Sequence, residues 1–237
     1  MSAFERLARG WPGRDAPLRV LAASGQLGLG IPRESFERGV AARPHVIAAD
    51  MGSIDPGPAY LGSGRMAAPI ALARQDLALV LGAARRLDVP LLIGSAGTSG
   101  AAPALEEVLA LVRDVARERG LSFRLGIIRS ELSRAVVSAA LGAGRVTPIG
   151  HLPLDQEGID ATVMIVGQAG MAPFRKALEA GADVTVAGRA CGTAPFAVVS
   201  DRSFTAAPLQ HPWPWRWPKP KAHRAPICCW PVSWPGR

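Results

Sequence analysis

Two carboxylates in one long, proline-rich loop are the first residues of this sequence that could do chemistry. Asp50 and Asp55 stand five residues apart, in a loop that two prolines stiffen. Such a pair can bind a divalent metal, act as a general base or hold a substrate hydroxyl. Aspartates also cap turns in loops of this composition, and composition alone does not decide between these roles. In the same loop, Ser53 is a further catalytic candidate and Tyr60 a candidate for substrate binding.

A run of small residues at positions 94–100, directly before a predicted helix, can present backbone N–H groups to an anion. The candidate cofactor-binding residues of this run are Gly94, Ser95, Gly97, Thr98, Ser99 and Gly100. The run lacks the lysine of a Walker loop, and neither it nor the earlier segment 25–30 has the GxGxxG spacing of a dinucleotide loop. A simple helix-capping turn is the alternative for both segments.

Three later loops each contribute a candidate. Arg189 can clamp a carboxylate or a phosphate through paired hydrogen bonds. Cys191 beside it is a candidate nucleophile, although a cysteine is as readily a small buried hydrophobe and no histidine is close in sequence to activate it. Glu131 is a further catalytic candidate, and Gln168 a candidate for substrate binding.

The segments that position these residues alternate between short apolar runs and amphipathic helices. We predict strands at 18–23, 45–49, 89–93, 123–128, 163–166 and 184–187, and helices at 33–42, 70–87, 103–119, 131–141 and 172–180. This alternation predicts an α/β fold with a mainly parallel, doubly wound (Rossmann-like) sheet and helices on both faces. Ligands of such sheets bind at the carboxyl ends of the strands, so we expect the candidate loops to meet at one edge.

Composition narrows the class of protein. A chain of 237 residues, 49% hydrophobic and 19% charged, is typical of a globular protein with a substantial core. Its net charge of +8 is uneven, because residues 1–200 hold 21 Lys and Arg against 18 Asp and Glu, whereas residues 201–237 hold six against one. Mixed signs argue against nucleic-acid binding. No apolar run is long enough to span a bilayer, no signal-peptide core is present and the three cysteines form no spaced framework, so we expect a cytoplasmic protein without membrane contact.

The last part of the chain breaks this pattern. Residues 201–237 hold five of the six tryptophans and eight of the 21 prolines, and their Trp/Pro alternation fits neither a helix nor a central strand. A proline-rich recognition segment and an aromatic membrane-surface patch are two interpretations. We favour a frameshift, because Trp and Pro codons in a shifted frame encode Ala alternating with Leu, Met or Val. We therefore expect an N-terminal extension at 1–17, an α/β domain at 18–200 that is incomplete at its C-terminus, and a tail at 201–237.

Several segments together resemble the acyclic terpene utilisation protein A (AtuA) family. They are HVIAADMGSIDPGPAYLGSG, LLIGSAGTSG, FRLGIIRSEL, IVGQAGMAPFRKALEAGADV and AGRACGTAPF, in consistent order over about residues 18–198. The segment D-x-G-S-x-D-P-G-P, which contains Asp50 and Asp55, is the most specific of them. The resemblance implies a role in bacterial growth on citronellol-like and geraniol-like terpenes.

The chain departs from the family pattern in two places. The family usually carries an aspartate in the segment G-R-x-C-D-T, where this chain has Gly192, so one carboxylate of the implied site is missing. Family chains continue through a helical segment and further α/β structure, where this chain has its Trp/Pro tail. Both departures argue against full activity.

We expect a catabolic enzyme, or a fragment of one, that acts on a small acyl-CoA or a branched carboxylate. In this hypothesis Asp50 and Asp55 act as acid and base or bind a divalent metal, residues 94–100 bind an anionic group, and Arg189 pairs with a carboxylate. The alternative from another class is a non-catalytic accessory subunit that binds a nucleotide or CoA, and a third is an inactive truncated product. The sequence leaves a homo-oligomer or a partner subunit open.

Overall fold

A computed structural model describes residues 18–53, 57–149 and 153–200, together with Met1, Phe4, Glu5 and Leu7. The predicted tail at 201–237 and most of the extension at 1–17 lie outside the described residues. Asp55 also lies outside them, so the structure gives no position for the second carboxylate of the long loop.

Five parallel strands form one sheet in the described part of the chain. They are β1 (Val20–Ala22), β2 (Val46–Asp50), β3 (Leu91–Gly94), β4 (Leu125–Ile128) and β5 (Val184–Ala187). Their order across the sheet is β1-β2-β3-β5-β4, so β5 lies between β3 and β4. Ile93 of β3 pairs with Ala49 on one side and with Val186 on the other. This register brings the carboxyl ends of β2, β3 and β5 to the same level.

Helices occupy most of the connections between these strands. Those of the described residues are α1 (Arg33–Ala41), α2 (Ala59–Ser63), α3 (Ile70–Leu87), α4 (Ala102–Glu118), α5 (Arg134–Gly142), α6 (Gln156–Ala161), α7 (Met171–Glu179) and α8 (Ala194–Ala197). The sequence predicted the longer ones to within a few residues. It did not predict the short helices α2, α6 and α8.

Alternate residues of the central strands supply two cores, one on each face of the sheet. Ile93 and Val186 point to the face that α1, α3 and α4 cover. Leu92 points to the other face, where it packs with Phe174 and Leu178 of α7 and with residues of α8. Strands buried on both faces need nearly continuous apolar sequence, which explains the runs VIAAD, LLIG and VTVA. The predicted doubly wound α/β fold is therefore confirmed.

The strand predicted at 163–166 is wrong. Val163 is 70% exposed, and Val166 forms only an isolated bridge to Glu131. The main chain of this segment bonds to the loop after β4: Leu132 N–H donates to the carbonyl of Ile165, and Gly167 N–H to that of Ser130. β5 already pairs directly with β4, so the segment runs beside the carboxyl edge and adds no sixth strand.

A buried carboxylate of α3 fixes the loop between β1 and α1. Asp76 is 1% exposed, and its Oδ2 atom accepts hydrogen bonds from the N–H groups of Gly28 at 2.8 Å and Gly30 at 3.0 Å. Its Oδ1 atom accepts from Ile31 N–H at 3.0 Å. Three backbone donors thus satisfy one carboxylate, which is what a buried charge requires.

Replacement of this carboxylate should destabilise the whole domain. In Asp76→Ala three backbone N–H groups lose a charged acceptor, and we expect the free energy of unfolding to fall by about 3 kcal/mol. Urea denaturation followed by circular dichroism measures this change. The control is Asp114→Ala, because Asp114 lies on the surface of α4 and pairs only with Arg117; that change should cost about 0.5 kcal/mol or less. Equal losses in the two variants would contradict the role of Asp76.

Candidate functional site

The loops after β3 and β5 leave the carboxyl edge of the sheet toward opposite faces, and the position between them is the topological crevice of the sheet. The loop after β3 leads to α4 on one face, whereas the chain after β5 leads to α8 on the other. Ligands of doubly wound proteins bind where the loops of adjacent strands diverge in this way. β2 ends beside the crevice, because Asp50 pairs with Gly94 in the sheet register. The candidate site therefore consists of the loops that follow β2, β3 and β5.

These three loops touch through their backbones at two glycines. A Cβ atom at Gly52 would lie 1.9 Å from the carbonyl oxygen of Thr98, and one at Gly100 would lie 1.8 Å from the backbone nitrogen of Arg189. Gly100 also has a φ of 73°, in the left-handed region. Neither position can hold another residue unless the main chain moves. The predicted meeting of the loops at one edge of the sheet is confirmed.

The loop after β3 adopts a conformation that non-glycine residues rarely take. Ser95 has a φ of 49° and Thr98 a φ of 74°. Such values cost energy and persist only where the surroundings fix them. The Thr98 side chain accepts a hydrogen bond from Ala67 N–H at 2.9 Å, and Ala96 N–H donates to the carbonyl of Ala187 at 2.8 Å. The loop is therefore held on one side by the long loop after β2 and on the other by β5.

Ser95 connects the three loops through its side chain. It is fully buried, and its hydroxyl lies 3.1 Å from the carbonyl oxygen of Ala190 and also hydrogen-bonds the side chain of Asp50. The Ser95 oxygen also accepts a hydrogen bond from Ala190 N–H at 3.4 Å, so this one side chain joins the loops that follow β2, β3 and β5.

Asp50 is the carboxylate of this site. Burial raises the pKa of Asp50 above its ordinary value. The hydrogen bond with Ser95, the charge of Arg189 and the N–H groups of Met51 and Gly52 oppose this rise to a smaller extent. Met51 N–H donates to the Oδ1 atom at 3.0 Å. Asp50 therefore exchanges a proton closer to neutral pH than an exposed aspartate does, which is a common property of acid–base residues.

Arg189 is the cation of this site, and it is 9% exposed. Its Nη1 atom donates to the carbonyl oxygen of Thr98 at 3.3 Å, whereas its Nε atom is buried without a hydrogen-bond partner. The Ser130 hydroxyl donates to the Arg189 carbonyl at 2.9 Å and so fixes the backbone. The guanidinium acts on Asp50 through its charge, and no ion pair within 4 Å joins the two among the described residues.

Gly192 leaves one oxygen of Asp50 uncovered. A Cβ atom at Gly192 would lie 3.0 Å from Asp50 Oδ2, so any side chain at this position would meet the carboxylate. An aspartate there, as in the pattern of the resembled family, would place a second carboxyl group beside Asp50. The neighbouring Cys191 thiol lies 3.3 Å from the Thr193 hydroxyl, and no described histidine contacts it.

Gln168 and Glu131, two of the predicted site residues, lie in segments that contact the loops around Asp50 and Arg189. Gln168 precedes Ala169, whose N–H donates to the Arg189 carbonyl at 2.9 Å. Glu131 instead accepts a hydrogen bond from Ala102 N–H at 2.8 Å, so it caps the N-terminus of α4. Glu131 also lines a cleft of about 230 Å³ between the start of α4 and the loop after β4.

The remaining predicted residues are less closely tied to the centre. Ser53 is partly buried three residues after Asp50, and Tyr60 is partly buried on α2. Among the residues that the structure describes, no three His, Cys, Asp or Glu side chains lie close enough to hold a metal ion. A metal site at Asp50 and Asp55 stays a prediction. No helix in this part of the chain is long and apolar enough to cross a bilayer.

Sequence reasoning did not identify two residues that shape the edge of the sheet. Asp76 fixes the loop after β1, and its signal was an acidic residue within the apolar stripe of a predicted helix. Ser130 fixes Arg189 from the loop after β4, and its sequence carries no signal of this role. Both side chains form hydrogen bonds with backbone groups of distant segments, and a residue pattern does not reveal such contacts.

Comparison with known proteins gives one match. The sequence model of a family described as acyclic terpene utilisation family protein AtuA matches residues 71–222, more than half of the chain. The matched range begins after the Asp50 loop that carried the strongest resemblance, and it includes residues 201–222 of the predicted tail. No curated protein and no solved structure matches the chain.

Removal of the Asp50 charge should change the pH dependence of stability. Because the pKa of Asp50 is raised in the folded state, Asp50 binds more protons in the folded than in the unfolded chain, and its contribution to stability falls as pH rises above about 4. Asp50→Asn removes this titrating group. The free energy of unfolding of the variant minus that of the native chain should therefore increase from about pH 4 to about pH 7. Urea denaturation at several pH values measures it. Asp114→Asn is the control, and a difference independent of pH for Asp50→Asn would contradict the raised pKa.

A carboxylate at position 192 should raise the pKa of Asp50 further. In Gly192→Asp the new side chain starts 3.0 Å from Asp50 Oδ2, and two carboxylates that share a site hold a proton more tightly than one. The carboxyl carbon shift of Asp50, followed by NMR titration, measures this change. Gly192→Ala is the matched control, because it adds the Cβ atom without the charge. A titration that is the same in both variants would show that residue 192 does not reach Asp50.

Proposed function

The chain belongs to the acyclic terpene utilisation family AtuA, and from this premise we propose that it is a cytoplasmic enzyme of acyclic terpene breakdown. It binds a small branched carboxylate or the corresponding acyl thioester in the crevice between β3 and β5. Asp50 transfers a proton to or from this ligand, and Arg189 binds its charged or polar head group.

The observation that carries the proposal is the partly buried Asp50 near the buried Arg189, at the carboxyl ends of the strands. A general acid or base must have a pKa near the working pH, and burial moves the pKa of Asp50 in that direction. A buried guanidinium can bind and orient a carboxylate, or polarise a carbonyl oxygen. No ion pair within 4 Å joins the two charges among the described residues, and in the proposal the ligand contacts both.

The loops supply the rigidity that proton transfer needs. Close backbone contacts at Gly52 and Gly100 hold the main chains of the three loops together, and a hydrogen bond with Ser95 holds the Asp50 side chain. Groups fixed in this way need little rearrangement when the ligand binds. Asp55 and Ser53 follow Asp50 along the same loop, and their roles in catalysis or in binding a divalent metal remain part of the proposal.

The main alternative is a non-catalytic subunit that binds CoA or a nucleotide. An anion at the N-terminus of α4 would use the free N–H groups there. Glu131 already accepts a hydrogen bond from Ala102 N–H at that end. A phosphate would have to displace Glu131, and this favours the enzyme over the nucleotide-binding subunit.

The direct test follows chemical change in candidate ligands. The full chain is incubated in D₂O with geranate, citronellate or their CoA thioesters, with Mg²⁺ or with EDTA, and mass spectrometry detects deuterium uptake or a new product. We expect turnover that Asp50→Asn reduces by at least about a hundredfold, as for loss of an acid–base group. Asp55→Asn tests the second carboxylate, and loss of turnover with EDTA tests the metal.

The control is Asp114→Asn, which leaves the crevice intact and should keep full turnover. Turnover that survives Asp50→Asn would contradict the proposed role of Asp50. Binding of a thioester that neither aspartate variant affects, with no turnover in the native chain, would support the accessory subunit instead.

A further inference from the structure

Arg85 and Arg189 are both nearly buried, but their hydrogen-bond and ion-pair partners differ. The Arg85 side chain is 10% exposed and lies 3.1 Å from Asp88 and 3.8 Å from Asp183. Arg189 is 9% exposed, and no described carboxylate lies within 4 Å of its guanidinium. Buried charges in proteins are paired or hydrogen-bonded, because burial of an isolated charge is costly. Arg85 has two carboxylate partners, whereas among the described residues Arg189 has only the carbonyl oxygen of Thr98.

The donor of Arg189 that has no hydrogen-bond partner among the described residues lies on the Nε side of the guanidinium. Nη1 has an acceptor in the carbonyl oxygen of Thr98, at a long 3.3 Å, whereas Nε is buried and has none. The backbone of Arg189 is fixed, because the Ser130 hydroxyl donates to the Arg189 carbonyl and Gly100 packs against the Arg189 backbone nitrogen. The backbone that carries the guanidinium is therefore held in a fixed position.

We propose that the Nε side of Arg189 binds the free carboxylate of the ligand, and that the site discriminates against esters and thioesters of the same acid. This proposal narrows the ligand class of the proposed function and rests on the same crevice, but it does not depend on turnover. The Nε–H and Nη–H groups of a guanidinium form a parallel pair that matches the two oxygens of a carboxylate. A thioester or an ester presents one neutral carbonyl oxygen and cannot neutralise the charge.

The surroundings of Asp50 agree with a ligand that reaches from Arg189 to this carboxyl group. Gly94 and Gly192 bring no side chain to its oxygens: Cβ atoms at these positions would lie 3.3 Å from Oδ1 and 3.0 Å from Oδ2. The loop after the intervening strand β3 contributes only small residues between the two groups. A carboxylate on Arg189 thus places the adjoining carbon atoms of the ligand toward Asp50.

Calorimetric titration of the full chain with geranate, methyl geranate and geranyl-CoA tests the proposal. These probes share one carbon skeleton and differ in the head group. We expect geranate to bind at least about tenfold more tightly than the ester and the thioester, because only the acid forms the paired, charge-assisted bonds. Equal or tighter binding of the ester or the thioester overturns the proposal, as does a chain that binds none of the three.

Two variants of Arg189 locate the effect. Arg189→Lys keeps the charge and loses the paired donors, so geranate should bind about tenfold more weakly, and Arg189→Met should bind it more weakly still. Arg129→Met is the matched control, since Arg129 is exposed and pairs with Glu106. Geranate affinity that is unchanged in Arg189→Lys, or inorganic phosphate that competes as strongly as geranate, overturns the proposal. Geranate binding that depends on Arg189 in a chain without turnover supports this inference and contradicts the proposed catalysis.

Discussion

The position of β5 between β3 and β4 is the constraint on which the rest of the structure depends. The chain passes from β3 to β4 across the width of one strand, and β5 later fills that gap. The connection that returns to fill it must cross the opposite face of the sheet, because crossovers between parallel strands are right-handed. α4 and α7 therefore lie on opposite faces, and the crevice opens where their strands adjoin. A sheet in simple sequential order would have no such crevice.

The two charged residues of the site belong to strands that are not neighbours, since β3 lies between β2 and β5. Asp50 and Arg189 influence each other only because the loop after β3 fills the intervening space with small residues. Gly52 and Gly100 leave no room for a Cβ atom at their backbone contacts. The left-handed backbone of Ser95 and Thr98 is the conformational cost of this close approach. The site is thus built by three loops together and by none of them alone.

The sequence revealed the fold because strands such as VIAAD and LLIG are short, apolar and followed by glycine-rich loops. It also singled out Asp50, Ser95 and Arg189, because they follow predicted strands directly, where the ligands of doubly wound sheets bind. The order of the strands depends on tertiary contacts, and a local pattern carries no record of it. For the same reason the apolar run at 163–166 looked like a strand, and the capping of α4 by Glu131 was not foreseen.

The carboxylate of Asp76 occupies the N–H groups of the turn after β1, and in this the sheet differs from those of dinucleotide-binding proteins. In those proteins the pyrophosphate of the cofactor rests on the N–H groups of the first strand-to-helix turn. Here β1 is an edge strand, and the N–H groups of Gly28, Gly30 and Ile31 in the turn after it already bind an anion that the chain itself provides. An incoming pyrophosphate would meet a buried negative charge where it needs hydrogen-bond donors. The hydrogen-bonding capacity of this first turn is thereby used within the chain itself.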